Sequence, residues 1–171
     1  EKAYQAMRAS AMQDDFGIKE LKQYKYIGTG RDDGKEAGEF CPILYKKERV
    51  ELLYHGQFWY SETPDKPSKS WNSFCNRICT WGKFKDKKTD KYFFFFSSHF
   101  DHVSNEARVN SAKLLVQKVQ EIAGDLPYFC TGDLNCDPDE EPISFILNSG
   151  LFKDSYSISE TTPKGPAGTL H

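Results

Sequence analysis

The chain has 171 residues, and its hydrophobic content of 38% and charged content of 28% are ordinary for a globular protein, which excludes an intrinsically disordered chain. Its formal net charge of -2 excludes the strong basic field that attracts nucleic acid or anionic membrane without specific contacts. The longest apolar run, residues 92–96, is far shorter than the roughly 20 residues of a membrane-spanning helix. We therefore expect a single, monomeric domain over residues 1–171, without a membrane span.

The first half of the chain predicts a helical region followed by short strands. Residues 1–23 have helical composition, and residues 24–27 form a short run of strand-forming residues. Two further strands are predicted at residues 41–45 and 49–54, joined through a charged turn. Another apolar and aromatic run, at residues 75–84, predicts a fourth strand.

The second half of the chain predicts the order strand, helix, strand, helix. Residues 92–96 are apolar at every position, which is typical of a central strand covered on both faces. Apolar residues at helical spacing predict a helix over residues 105–123, with Ser104 as its N-cap. A strand over residues 126–131 and a shorter helix over residues 143–148 follow.

Five cysteines, an odd number, fit no C-x-x-C zinc pattern. They are Cys41, Cys75, Cys79, Cys130 and Cys136. Free thiols are typical of a reducing compartment, which favours the cytoplasm. Secretion stays open because the chain starts with Glu rather than Met.

The two strands that are predicted to be most buried both end in polar side chains. His99 alternates with Asp101 after the first of them, and Asp133 alternates with Asn135 after the second. Alternate residues of an extended segment project to the same side, so each pair is expected to point one way. Ligand-binding groups collect where strands leave a helix-covered sheet. We therefore predict a site here, with Asp133 and Asn135 able to orient water or hold a divalent cation through oxygen.

Other motif classes fail at individual positions. An EF-hand that begins at Asp133 would have Pro138 in place of its glycine and Ser144 in place of its bidentate glutamate. The loop GTGRDDGK lacks the first glycine of a phosphate loop, because Thr29 stands there, and Glu36 replaces its final Ser or Thr. The chain also contains neither H-E-x-x-H nor G-x-S-x-G.

Four segments resemble the endonuclease/exonuclease/phosphatase superfamily, the metal-dependent phosphodiesterase fold of pancreatic deoxyribonuclease and its relatives. In order they are GRDDGKEAGEFCPILYKK (30–47), FWYSETPDKPSKSWNSFCNRICTWGKF (58–84), FSSHFDH (96–102) and TGDLNCDPDEEP (131–142). The last two are similar to the T-H-x-D-H-like and G-D-x-N motifs of the superfamily. The resemblance implies an α/β (α+β) fold, a two-sheet β-sandwich flanked by helices in four layers, here incomplete.

The resemblance also implies catalytic residues and a cofactor. His99 is similar to the histidine that donates a hydrogen bond to the scissile phosphate, and Glu39 to the carboxylate that orients it and raises its basicity. Asp133 resembles the group that orients or deprotonates the attacking water, and Asn135 the amide that steadies phosphate, water or metal. The implied cofactor is Mg²⁺ or Mn²⁺, with Asp133, Asn135 and Glu1 as its ligands.

Substrate binding is implied at four positions. Arg77 stands at the position of a family arginine near the phosphate, and its planar fork suits two phosphate oxygens. Arg31 in the glycine-rich loop is a second phosphate candidate. Trp71 and Asn72 are candidates to line the cleft, although Trp71 can equally be a rim aromatic that packs on the fold.

Several family features are missing from this chain. There is no Gln-Glu pair in the first part of the chain, where the glutamate of such a pair is the principal metal ligand of the family, and no terminal Ser-Asp-His motif. Glu1 is read as a remnant of the Gln-Glu pair. The resemblance thus implies a partial domain without its first strand and its last strands, and we expect the isolated chain to be poorly active.

The leading functional expectation is a divalent-metal-dependent phosphoesterase that hydrolyses phosphodiester bonds in the manner of a nuclease. A small-molecule or lipid phosphoesterase, acting on inositol phosphates or sphingomyelin, stays open because the chain is mildly acidic and shows no clear base-stacking platform. A non-catalytic fragment is the third alternative, favoured by the missing motifs. The expected partner is a phosphate-ester substrate, with nucleic acid as one possibility.

Overall fold

In this computed structural model, residues 22–161 are described and form six strands and two helices. The strands are β1 (Tyr24–Ile27), β2 (Ile43–Lys46), β3 (Val50–Trp59), β4 (Ile78–Asp86), β5 (Tyr92–His99) and β6 (Tyr128–Asp133). The helices are α1 (Asn105–Ala123) and α2 (Glu141–Asn148). The helix predicted before Tyr24 lies outside the described residues. Neither helix of this part of the chain has the length and hydropathy needed to cross a lipid bilayer.

The strands form two sheets. β1 pairs with β2 in an antiparallel ribbon, and the other four strands form a sheet in the order β3-β4-β5-β6. Within the larger sheet β3, β4 and β5 are antiparallel, whereas β5 and β6 are parallel. Parallel neighbours need a long crossover, and α1 supplies it. β5 has a strand on each side, so the central position predicted from its continuous apolar run is confirmed.

The strands that flank the charged turn do not share a sheet. The sequence predicted two strands, at residues 41–45 and 49–54, joined through this turn. In the structure β2 pairs with β1, and β3 pairs with β4. β3 also continues to Trp59, well beyond its predicted end at residue 54. The polar segment around Gly56 hid this extension in the sequence. This strand position requires glycine because the Trp81 indole lies over Gly56. A Cβ atom there would come within 2.6 Å of the indole.

The two faces of the four-stranded sheet are covered by different layers. On one face α1 and α2 pack against Phe94 and Phe96, and on the other the β1–β2 ribbon packs near Phe84 and Phe93. Phe96 of β5 and Val119 of α1 are fully buried. Burying a side chain of this size contributes about 1.5–3 kcal/mol. The predicted fold class, two sheets with helices, is confirmed in these layers.

Helix α1 has the predicted limits because both of its ends are capped. The Ser104 hydroxyl accepts a hydrogen bond from the Ala107 N–H at 3.2 Å, as an N-cap does. Gly124 ends the helix with a φ of 55°, and its N–H donates to the Gln120 carbonyl. Ser104 also donates to the Trp71 carbonyl at 2.8 Å. The start of α1 is thereby fixed to the loop that precedes β4.

All five cysteine thiols are free, as their number predicted. Burial raises the pKa of the Cys41 thiol and of the Cys130 thiol to about 12. Only a thiolate is a good nucleophile, so these two residues act as small core side chains rather than as reactive groups.

Candidate functional site

The carboxyl ends of β5 and β6 bring the two polar motifs side by side. His99 is the register partner of Asp133 in this parallel pair. Its Nε2 lies 3.9 Å from Asp133 Oδ2, and the Phe100 N–H donates to the Asp133 carbonyl at 2.9 Å. The strand ends therefore form one shared surface, as expected of polar residues that follow two neighbouring buried strands.

Gly132 lets β6 approach β5 at this point. Its φ is 144°, and a Cβ atom built there would lie 1.9 Å from the Ser98 carbonyl oxygen. Only glycine avoids this contact and adopts this backbone conformation without strain. Gly132 therefore sets the separation between His99 and Asp133.

Replacing Gly132 with alanine is expected to lower the free energy of unfolding by about 2–6 kcal/mol, since backbone strain and overpacking each cost about 1–3 kcal/mol. Denaturant titration measures this change. Gly150→Ala is the matched control, because Gly150 also has a positive φ, of 75°, but nothing lies within 4 Å of the added Cβ. Equal losses in the two variants would show that the close strand contact is unimportant.

Glu39 lies on the other side of the imidazole. Its Oε2 is 3.6 Å from His99 Nδ1, whereas Asp133 faces Nε2. The same oxygen accepts a hydrogen bond from Arg31 Nη1 at 2.5 Å and lies 3.9 Å from Arg77 Nη1. One carboxylate thus lies among three basic side chains. Four residues predicted from the sequence therefore lie together: Glu39, Arg31, Arg77 and His99. Asp133 is next to this group because it lies beside His99 Nε2.

A tightly folded loop, residues 30–39, places Arg31 and Glu39 together. The Arg31 N–H donates to the Glu39 carbonyl at 3.1 Å, so the two ends of the loop are joined by backbone. Inside the loop, Asp33 Oδ1 accepts from two backbone N–H groups at 2.7 and 2.9 Å. The Trp59 indole N–H donates to the Arg31 carbonyl at 2.6 Å and fastens the loop to β3.

The pKa of His99 is lowered from its ordinary value of 6.5. Burial is the largest cause and the Arg77 guanidinium the second, while Glu39 and Asp133 act in the opposite direction. The expectation that Glu39 raises the basicity of the imidazole is correct for that contact but wrong for the net result. His99 is therefore mainly neutral at neutral pH.

Arg77 is a buried cation, with only 4% of its side chain exposed. Its Nη2 lies 2.6 Å from His102 Nδ1, and its Nε lies 3.8 Å from Asp101 Oδ2. Among residues 22–161, Nε and Nη1 have no hydrogen-bond partner. Buried polar groups are normally paired, so Nη1, which lies near Glu39 without a hydrogen-bond partner, is a donor with unused hydrogen-bonding capacity.

Asp101 was expected to project with His99, but it is fully buried and points into the protein. Its carboxylate accepts from four donors: the N–H groups of Phe74, Val103 and Ser104 and the hydroxyl of Ser73. Burial raises its pKa, but these hydrogen bonds outweigh burial and lower the pKa to about 2. The sequence did not reveal this supporting role, because the four donors come from two separate segments of the chain.

Asn135 has part of its side chain occupied. Its φ is 47°, its N–H donates to Asp133 Oδ1 at 3.0 Å, and its Nδ2 donates to the Phe100 carbonyl at 3.0 Å. These bonds leave Asn135 Oδ1 and Asp133 Oδ2 as the oxygen atoms available to a ligand. Asp133 is 56% exposed, so its free oxygen is open to solvent.

Trp71 and Asn72 lie in a loop that faces α1. Both have a φ of 58°, in the left-handed region. The Asn72 amide donates to Glu106 at 2.8 Å, and Trp71 packs against the main core. Neither forms a hydrogen bond with the Glu39–His99 group within the described residues. The observed packing favours the rim interpretation of Trp71.

Metal binding stays a prediction. Across residues 22–161, no group of three or more His, Cys, Asp and Glu side chains is arranged to hold a metal ion. Asp133 and Asn135 nevertheless present two free oxygen atoms, and Mg²⁺ prefers oxygen ligands and usually keeps several waters. Glu1, the third predicted ligand, lies outside the described residues.

Comparison with known proteins gave one negative result and several similarities. No family model matches the chain. An endonuclease/exonuclease/phosphatase family protein of Bacteroides thetaiotaomicron has 43% identity and a TM-score of 0.80, with 82% of this chain and 52% of that protein covered. A mannosyl-6-phosphatase of the same organism has 42% identity and a TM-score of 0.78, with 82% and 55% covered.

A curated protein is also similar to the chain. An uncharacterised protein of Acanthamoeba polyphaga mimivirus is 34% identical over 148 residues, which cover 84% of this chain and 54% of that protein. The chain spans about half the length of each of these three proteins. Its fold and its sequence likeness make it a member of the endonuclease/exonuclease/phosphatase superfamily, as its four motifs indicated.

Proposed function

We propose that the protein containing this chain is a phosphatase that hydrolyses phosphate monoesters of small molecules, with sugar phosphates as the substrate class. The observation that carries the proposal is the group around Glu39, where Arg77 is 4% exposed and keeps two donors free. A dianionic terminal phosphate offers three oxygens to such a group. The similar mannosyl-6-phosphatase supports the choice of a sugar phosphate.

In this proposal the two arginines bind the phosphate group. Arg77 Nη1 and Arg31 Nε have no partner among the described residues, so both can donate to phosphate oxygens. Arginine is always charged and presents its donors in a fixed plane. Glu39 orients both guanidinium groups through its Oε2 contacts at 2.5 and 3.9 Å.

His99 stabilises the negative charge that develops on the phosphate oxygens in the transition state. An anionic phosphate near Nε2 raises the pKa of the imidazole, because opposite charge favours the protonated form. Protonated His99 then forms an ion pair with Glu39, whose Oε2 lies 3.6 Å from Nδ1, and donates a hydrogen bond from Nε2 to a phosphate oxygen. Preorganised donors of this kind stabilise a phosphoryl transition state without reorganisation.

Asp133 prepares the attacking water. Its Oδ1 is held by the Asn135 N–H at 3.0 Å, which fixes the direction of the free Oδ2. That oxygen accepts a proton from the water as the water oxygen bonds to phosphorus. The bond from phosphorus to the ester oxygen breaks in the same displacement, and the alcohol leaves with a proton taken from solvent. Mg²⁺ or Mn²⁺, if held by the free oxygens of Asp133 and Asn135, would neutralise phosphate charge as a Lewis acid.

A nuclease is the second candidate, and one observation favours it. Phe74 is 65% exposed, and its ring packs against His102, which contacts Arg77. An exposed aromatic ring next to a phosphate site can stack on a nucleobase, although it can equally stack on a sugar ring. The formal net charge of -2 gives no general attraction for a polyanion, which is why this candidate stands second.

A substrate panel separates the two candidates. We expect release of phosphate from mannose 6-phosphate and p-nitrophenyl phosphate at rates at least about tenfold above cleavage of bis-p-nitrophenyl phosphate and single-stranded oligonucleotides. Each assay is run with Mg²⁺, with Mn²⁺ and with chelator. Chelator should abolish turnover and added Mg²⁺ should restore it. Faster cleavage of the diesters would favour the nuclease, and no hydrolysis of any ester would contradict both candidates.

A further inference from the structure

Arg77 is surrounded by contacts from residues 100–102, which follow β5, and from the loop before β4. Asp101 Oδ2 lies 3.8 Å from Arg77 Nε and accepts the Phe74 N–H at 2.8 Å. The Phe74 ring then packs edge-on against His102, with centroids 5.2 Å apart. His102 Nδ1 in turn lies 2.6 Å from Arg77 Nη2. Arg77 has a role in the proposed function, whereas His102 has none.

The chemistry of arginine fixes the direction of the His102 contact. A guanidinium group has only donors and is always protonated in proteins. At 2.6 Å, Arg77 Nη2 therefore donates and His102 Nδ1 accepts. Nδ1 accepts only as a lone pair, so the proton of the ring lies on Nε2. His102 is thus held in one tautomer by a buried cation.

We propose that His102 is a positioning residue that sets the rotation of the Arg77 guanidinium for phosphate binding, an inference that rests on the proposed function. With Nη2 held by His102 and Nε beside Asp101, the remaining nitrogen Nη1 points toward Glu39 at 3.9 Å. Without the acceptor at Nδ1, a buried donor loses its partner and the guanidinium turns toward another one. The donor that faces the phosphate is then misplaced.

Phe74 gives the contact its precision. The interplanar angle between its ring and the His102 ring is 74°, an edge-to-face arrangement. The Phe74 backbone N–H is itself bound by Asp101, which fixes the point on the chain from which the ring projects. Phe74 therefore limits the rotation of the imidazole, although the hydrogen bond to Arg77 depends on the acceptor atom and not on the ring.

Two substitutions at His102 separate the acceptor from the ring. His102→Asn keeps an acceptor at the position of Nδ1 and removes the ring, whereas His102→Phe keeps the ring and removes the acceptor. We expect the affinity for inorganic phosphate, measured calorimetrically in the presence of Mg²⁺, to fall about tenfold in His102→Phe and to stay within about twofold of wild type in His102→Asn. The substrate KM should follow the same order.

Further measurements make the test decisive. His102 is exposed, so both variants should stay folded, with the larger loss of melting temperature in His102→Phe, which leaves the buried Arg77 donor without its acceptor. His102→Ala should repeat the result of His102→Phe. Equal phosphate affinities in the Phe and Asn variants would overturn the inference, as would wild-type affinity in His102→Phe. Calorimetry needs no turnover, so failure of the wild type to hydrolyse esters would reject the proposed function separately.

Discussion

Replacing His99 with alanine is expected to reduce turnover of the phosphate monoester between about 10²-fold and 10⁴-fold, the usual contribution of a preorganised acid or hydrogen-bond donor. The imidazole lies between Glu39 and Asp133, at 3.6 and 3.9 Å, so no other described histidine can replace it there. Steady-state kinetics with Mg²⁺ measures the change, which should fall mainly on kcat.

His55→Ala is the matched control for this substitution. His55 is an exposed residue of β3, so its loss should leave both turnover and stability unchanged. Thermal melting should show that the His99 variant is folded. Turnover of His99→Ala within threefold of wild type would contradict a direct role of the imidazole, and the proposed mechanism would then lose its donor.

Replacing Asp101 with alanine is expected to lower the free energy of unfolding by about 3–5 kcal/mol, the cost of leaving a buried charge without its partner. Arg77 would remain buried beside the vacated position, and four donors would lose one acceptor. Denaturant titration measures the loss. Asp33→Ala is the control, since Asp33 also accepts backbone N–H groups but is exposed, and its loss should lower the stability far less.

The pH dependence of stability gives an independent check on Asp101. Its pKa is lowered from 3.8 to about 2, so the folded state favours the charged form. The resulting stability, about 2 kcal/mol, is present above pH 4 and is lost as the pH falls from about 4 to about 2. Asp101→Asn should lack this acid-dependent loss. An Asn variant with the same loss as wild type over this range would contradict the assignment.

Local signals in the sequence were sufficient for α1 and for the position of the site. The Ser104 cap and the Gly124 stop act within one helical turn, so the predicted helix limits agree with the structure. The continuous apolar run of β5 identified a central strand, and its parallel partner β6 then had to end beside it. His99 and Asp133 could therefore be brought together without any knowledge of distant contacts.

Features that depend on distant segments could not be read from the sequence. The pairing of β2 with β1 rather than with β3 is a choice between sheets, which a turn signal does not encode. The burial of Asp101 depends on a loop 27 residues earlier in the chain, which supplies the Phe74 N–H. The lowered pKa of His99 is a sum of burial and several charges, so a single neighbouring carboxylate predicted the wrong sign.

The Asp101 carboxylate joins two tasks that many enzymes assign to different residues. One of its oxygens binds the N–H groups that start α1, and the other faces the cation that we propose meets the substrate. A change that loosens the beginning of the helix should therefore also lower the rate of the proposed reaction. Because the Asp101 carboxylate is fully buried, we expect its contacts to break only when the whole fold melts, so inactivation on heating should begin together with global melting.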